Sequence, residues 1–225
     1  MAVWDPIWSN DAYANLELRK IKAKNKVDLF ADFLDLDSDA LCVDIGCGGG
    51  FVSAEVYNRF KCRISSFDVS TEAIRLATVE NNFCGSDYRV SSAEKLPLPD
   101  QCADVVLCIG VLEHIVDIKN ALAEIYRILK PNGKIVVTTS NLYSLIYFDR
   151  IFKQAFKIWK YGYQKNWSSR KIKYMVSDSG FHVSSVTVFQ GFGDFKNLNR
   201  IDCLINKVIK NWGRYILLLG EKTDV

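Results

Sequence analysis

The sequence predicts an α/β protein built on a mostly parallel sheet, and three observations carry that expectation. From Leu41 onward, short apolar runs alternate with amphipathic stretches, the pattern of strands separated by covering helices. The run Ala103 to Ile109 is almost wholly apolar, as a strand buried on both faces must be. Gly46, Gly48, Gly49 and Gly50 follow a short apolar run directly and precede a helix-like segment.

The elements follow in order. Leu16 to Leu34 reads as a helical N-terminal extension, preceded by Trp4, Trp8 and Tyr13. Leu41 to Ile45 is the first strand, and a helix starts near Phe51. The second strand, Cys62 to Phe67, ends at Asp68, after which Ser70 caps a helix. A third strand lies around Tyr88 to Val90, then Pro97 and Pro99 mark a loop. Ala103 to Ile109 is the fourth strand, and Asp117 caps a helix carrying Leu122, Ile125, Tyr126 and Leu129 at helical spacing. Pro131-Asn132-Gly133 stops it, and Lys134 to Thr139 is the fifth strand. Leu142 to Asn166 is irregular, and Ser168 or Ser169 caps a helix ending at Gly180. His182 to Phe189 is the sixth strand, Ile201 to Trp212 an apolar helical face, and Tyr215 to Leu219 the seventh strand.

The 225 residues suit one domain: a helical cap (1–40), a cofactor-binding core (41–141), a lid insertion (142–167) and the rest of the sheet (168–225). With 49% hydrophobic and 24% charged residues and no long apolar run, the composition is that of a globular chain rather than a membrane span. No basic head with an apolar run follows Met1, so a secretory signal is not expected and a cytoplasmic location is. Seven cysteines without a Cys-x-x-Cys pair read as free thiols, and no metal site is expected. A net charge of +3 is too small to imply DNA or RNA by itself.

The glycine cluster narrows the ligand. A dinucleotide fingerprint would place glycine where Phe51 stands, which disfavours a nicotinamide cofactor. No Lys-Ser or Lys-Thr follows the glycines, which disfavours ATP hydrolysis. Val43-Asp44-Ile45-Gly46-Cys47-Gly48-Gly49-Gly50 resembles motif I of class I S-adenosylmethionine-dependent methyltransferases. Asp68 stands where that family holds the cofactor ribose, a task suited to a carboxylate that accepts two hydrogen bonds. Ser92 to Asp100, Val105 to Ile115 and Ile125 to Lys134 resemble further signatures of the small-molecule branch that includes the ubiquinone and menaquinone biosynthesis methyltransferases. Where the family commonly has an aspartate at the adenine amine, this chain has Ser92.

The resemblance implies a Rossmann-like, seven-stranded, mostly parallel sheet with an antiparallel last strand and helices on both faces. It implies S-adenosyl-L-methionine as cofactor, with Asp44, Gly46, Cys47 and Gly48 around its methionine end. Asp68 and Val69 would meet the ribose, Ser92 and Ala93 the adenine, and Ile109 would face the cofactor too. Asp44 could equally organise the glycine loop, and Asp68 could be a helix cap.

His114, just after strand four, is the candidate general base, with Glu113 beside it; a structural histidine bonded to backbone is the competing role. The acceptor is expected to be a small molecule. Lysines and aromatics in 142–167, among them Arg150, Lys153, Phe148, Phe152 and Trp159, suit an anionic or lipid-linked acceptor or a membrane surface, while a plain pocket-closing lid is the bland alternative. RNA methylation, or a catalytically inactive cofactor-binding partner, are the competing functions.

Overall fold

The computed structural model describes residues 3–11, 15–191, 201 and 203–223. Seven strands form one sheet in the order β3-β2-β1-β4-β5-β7-β6. They are β1 (Leu41–Ile45), β2 (Arg63–Asp68), β3 (Ser86–Val90), β4 (Ala103–Ile109), β5 (Leu129–Ser140), β6 (Phe181–Phe189) and β7 (Tyr215–Lys222). All neighbours pair in parallel except at β7, which runs antiparallel to both β5 and β6. The reversal has a consequence for the site: Ser140 at the end of β5 pairs with Tyr215 at the start of β7. The beginning of β7 therefore joins the carboxyl edge of the parallel strands.

Helices cover both faces. On one side α5 (Ile118–Ile128) and α7 (Ser169–Asp178) bury Leu122, Ile125, Ile172 and Val176 against Val43, Ile45, Val106 and Val137. On the other, α2 (Leu16–Asp28) and α3 (Phe51–Phe60) bury Ala23, Val27, Val52 and Val56 against Cys42, Ile64, Val105 and Leu107. The alternation of Cys42 and Val43 between the two clusters is the period-two geometry of a strand. The remaining helices are α1 (Trp4–Asp11), α4 (Thr71–Glu80) and α6 (Leu145–Ala155).

The expected caps form. Ser70, Asp117 and Ser168 accept from the backbone N–H of Ala73, Asn120 and Lys171. One turn differs from expectation: Pro131-Asn132-Gly133 lies within β5 rather than before it, because Leu129 already pairs with Ala103 ahead of a register shift. α4 buries Ala73, Leu76 and Ala77 and leaves Val79 exposed. Cys42, Cys62 and Cys108 are buried, Cys47 and Cys102 partly so, and Cys84 and Cys203 exposed; all seven are free thiols. The apolar face expected over 201–212 is exposed at Ile201, Leu204, Val208 and Ile209.

Candidate active site

Two adjoining cavities lie over the carboxyl edge of the sheet, where the strand order reverses between β1 and β4 and α/β proteins bind their ligands. The first, about 910 Å³, is lined by Asp44 to Gly49, Asp68, Val69, Ser92, Ala93, Ile109 and His114. Every residue the sequence nominated is thus brought together here, save Glu113. That residue lines the second cavity, about 810 Å³. Trp4, Lys22, Lys26, Ile109, Gly110 and His114 border both.

The first cavity is made by backbone. Phe67 at the end of β2 accepts from the N–H of Gly46 at 2.6 Å and of Cys47 at 3.0 Å, which turns the chain sharply off β1. Gly46 has φ +67°, and a Cβ there would collide with the Val111 side chain. Asn81 donates to the Gly49 carbonyl at 2.6 Å. Asp68, carried beside this loop by the parallel register of β1 and β2, accepts from Gly48 N–H and Ser70 N–H, each at 2.9 Å. It therefore organises the loop as well as the start of α4, and burial pushes its carboxyl above the usual range against those bonds. Asp44 accepts from Ser53 of α3 at 2.6 Å, and burial pushes it up to about 7, opposed by that hydroxyl and by Lys26. Burial, with the charges of Asp44 and Asp68, drives the Cys47 thiol well above its ordinary value, which rules it out as a thiolate nucleophile at neutral pH. Ser92 Oγ accepts from Glu94 N–H at 3.2 Å.

α1, within the cap expected over 1–40 but not itself expected as a helix, closes over this loop. Trp8 lies against Gly48, where a Cβ would stand 2.5 Å from its ring. Asp5 accepts from Ser70 Oγ at 2.6 Å, and these bonds hold its carboxyl below the ordinary value. Trp4 meets His114 edge-on at 4.8 Å between ring centres.

His114 Nδ1 lies 2.9 Å from the Tyr163 carbonyl. A carbonyl only accepts, so Nδ1 carries the proton and Nε2 is the basic nitrogen of the neutral ring. The backbone bond expected of a structural histidine is therefore present, and it leaves the other nitrogen basic.

The second cavity is made by side chains. Besides Glu113 it collects Ser140 from β5, Arg150 and Lys153 from α6, Trp159, Gln164 and Asn166 from the segment after it, and Arg214 and Tyr215 before and at the start of β7. Asn141 and Trp167 clamp the base of this insertion: Leu142 N–H donates to Trp167 O and Trp167 N–H to Ser140 O. Ser140, Gln164 and Asn166 carried no sequence signal, since their importance arises only from that closure.

A family described as methyltransferase domain matches residues 43–137. The chain is 33% identical over 119 residues to a ubiquinone biosynthesis O-methyltransferase of Xanthomonas oryzae pv. oryzae, covering 52% of this chain and 49% of the relative. It is 35% identical over 105 residues to the enzyme of that name from Parvibaculum lavamentivorans, covering 46% and 41%. Residues 43–137 are thus similar to a methyltransferase domain. The glycine loop, the two backbone bonds accepted by Asp68 and the volume beside them suit S-adenosyl-L-methionine. The chain spans about half the length, or less, of these curated relatives.

Solved structures extend the likeness in fold to the rest of the chain. The complex between the Haloferax volcanii Trm112 methyltransferase activator and a putative methyltransferase gives a TM-score of 0.77 at 18% identity, covering 98% of both chains. Geranyl diphosphate C-methyltransferase from Streptomyces coelicolor A3(2) gives 0.68 at 15% identity, covering 88% of this chain and 77% of that one.

Proposed function

We propose that the chain transfers the methyl group of S-adenosyl-L-methionine to a small anionic acceptor held in the second cavity. The observation that carries this reading is the shared wall: Ile109, Gly110 and His114 at the end of β4 border both cavities, so a cofactor in one and an acceptor in the other would meet there. Within the wall of the second cavity, Lys22, Lys26, Arg150, Lys153, Lys160 and Arg214 outnumber Glu113 and Asp149, which favours an anion.

In this reading Asp44, Gly46, Cys47 and Gly48 surround the methionine end, Asp68 and Val69 the ribose, and Ser92 and Ala93 the adenine. S-adenosyl-L-methionine supplies a methyl group already activated for displacement, so the protein's contribution is chiefly positioning and exclusion of water. Trp8 and Trp4 cover the approach from α1, and His114 Nε2 takes the proton of an acceptor hydroxyl or amine. Residues 1–40 act as cap, 41–141 as cofactor core, 142–167 as lid and 168–225 as the completing part of the sheet.

The outer side of α6 supports contact with a membrane surface or a lipid-linked acceptor. Phe148, Ile151 and Phe152 are exposed there, as are Phe156 and Lys157 just after it. Among the described residues no helix is long and apolar enough to cross a membrane, so such contact is peripheral.

Calorimetric titration with S-adenosyl-L-homocysteine, followed by a turnover screen of anionic phenols, catechols and amines, tests the proposal. Saturable cofactor binding with methylated product is the expected result. Absence of binding at millimolar concentration would overturn it. Flotation with vesicles containing anionic lipid tests the α6 contact, and protein left at the bottom of the gradient counts against it.

A further inference from the structure

We infer that the acceptor carries a hydrogen-bond-donating hydroxyl or amine beside an anionic group, and that Glu113 and Arg150 read these two features. The inference rests on the transferase reading above and narrows the acceptor that reading would admit. Its ground is a set of buried side-chain atoms without a hydrogen-bond partner. Among residues lining the second cavity they include Glu113 Oε2, Asn166 Oδ1, Arg150 Nε and Trp159 Nε1. Each such atom costs about 1 to 3 kcal/mol when left unsatisfied, and native proteins keep few of them. Their gathering around one cavity suits a ligand that would satisfy them.

The two acceptors have already committed their other halves to structure. Glu113, 3% exposed, takes Ser140 N–H at 3.1 Å and Ser140 Oγ–H at 2.9 Å, both on Oε1. Asn166 donates through Nδ2 to the Asn141 carbonyl at 2.7 Å. What remains, Oε2 and Oδ1, can only accept in these arrangements, so it calls for a ligand hydroxyl or amine.

The two donors make the opposite demand. Arg150, 5% exposed, donates through Nη1 to the Gln164 carbonyl and lies over the Tyr147 ring at 5.3 Å, while Nε is unspent. A buried guanidinium with an open N–H fits a carboxylate or phosphate oxygen, and the Trp159 indole N–H adds a neutral donor.

The two readers are tied to one residue. Gln164 donates through Nε2 to Ser140 Oγ at 3.1 Å, the hydroxyl that serves Glu113, and its own carbonyl takes Arg150. Their separation is therefore set by the folded insertion, as discrimination between ligands requires. An anion without a donor would press its lone pairs against Glu113 Oε2 and Asn166 Oδ1; a donor without an anion would leave Arg150 unmatched.

Isothermal titration of the full chain, saturated with S-adenosyl-L-homocysteine, against 4-aminobenzoate, 4-hydroxybenzoate, benzoate and phenol tests this directly. The first two probes should bind about tenfold more tightly than either of the last two, the effect of satisfying one buried partner. In Glu113→Gln the amide oxygen can keep the Ser140 bonds, which puts an NH2 in the place of Oε2. The advantage of 4-aminobenzoate over benzoate should then fall to within about threefold, because an aniline nitrogen accepts poorly.

Arg150→Gln should remove the advantage of 4-hydroxybenzoate over phenol, and Arg150→Lys should restore part of it. An unchanged affinity for S-adenosyl-L-homocysteine certifies each variant as folded. Probes that bind alike, or not at all, to cofactor-loaded wild type overturn the inference and leave the transferase reading standing; so does an aniline advantage that survives Glu113→Gln. Loss of S-adenosyl-L-homocysteine binding by the wild type would instead remove the reading beneath it.

Discussion

The two cavities above the sheet are built from different materials. Around the glycine loop, hydrogen bonds close between backbone groups at strand ends, with Phe67 O, Gly48 N and Ser70 N meeting one carboxylate and one turn. Around Glu113 and Arg150 the wall is side chain, gathered from segments as far apart as Lys22 and Tyr215, and several of its polar atoms have no protein partner. A cradle of backbone suits a ligand that is the same throughout a family, since substitution hardly alters it. A wall of side chains suits a ligand that distinguishes one member from another.

His114 stands on the border, and its replacement gives the largest effect that separates the two regions. His114→Gln should lower turnover about 10²- to 10⁴-fold, the usual contribution of a general base, while the affinity for S-adenosyl-L-homocysteine stays unchanged. Equal turnover would reduce His114 to its contacts with Trp4 and the Tyr163 carbonyl.

Asp68 tests the backbone cradle from inside. Asp68→Ala removes the acceptor for two backbone N–H groups and the proposed ribose contact, so S-adenosyl-L-homocysteine binding should weaken about 100-fold by calorimetry. A loss no larger than a few-fold would make Asp68 a scaffold for the loop alone.

The same contrast explains what was legible in the sequence. Ser70, Asp117 and Ser168 could be named as caps because a cap is a local event, completed within three residues. Asp68 could be placed because it closes the second strand, where the resembled family carries its ribose-binding acid, beside the glycine loop. β5 began earlier than expected because the pairing of Leu129 with Ala103 is a long-range contact with no local marker. α1 was not legible as a helix: it is short, has Pro6 in its first turn, and is anchored by Trp8 on Gly48 and Asp5 on Ser70. Gln164 and Asn166 were invisible for a related reason, since only the clamp of Asn141 and Trp167 brings them to Glu113 and Arg150.

Gly46 measures how tightly the cradle is built. With φ at +67° and Val111 in the space of its missing Cβ, Gly46→Ala should cost about 1 to 3 kcal/mol in denaturant unfolding. Adding Val111→Ala should recover the steric part and leave the backbone part. Recovery of none would place the whole cost in the left-handed conformation.

A further effect concerns charge rather than shape. Burial pushes the Asp44 carboxyl from its ordinary 3.8 up to about 7, with the Asp68 charge adding and the Ser53 hydroxyl and Lys26 opposing. The folded chain then holds a proton that the unfolded chain has released, so this group lowers stability as pH rises from about 4 to about 7 and adds no further slope above that. Asp44→Asn removes the titration and can still accept from Ser53 through its amide oxygen. Its stability relative to wild type, measured in denaturant without cofactor, should climb across that window and then level. A flat difference would mean that Asp44 ionises normally in the folded protein, and that the backbone cradle stabilises a buried charge as well as it shapes a loop.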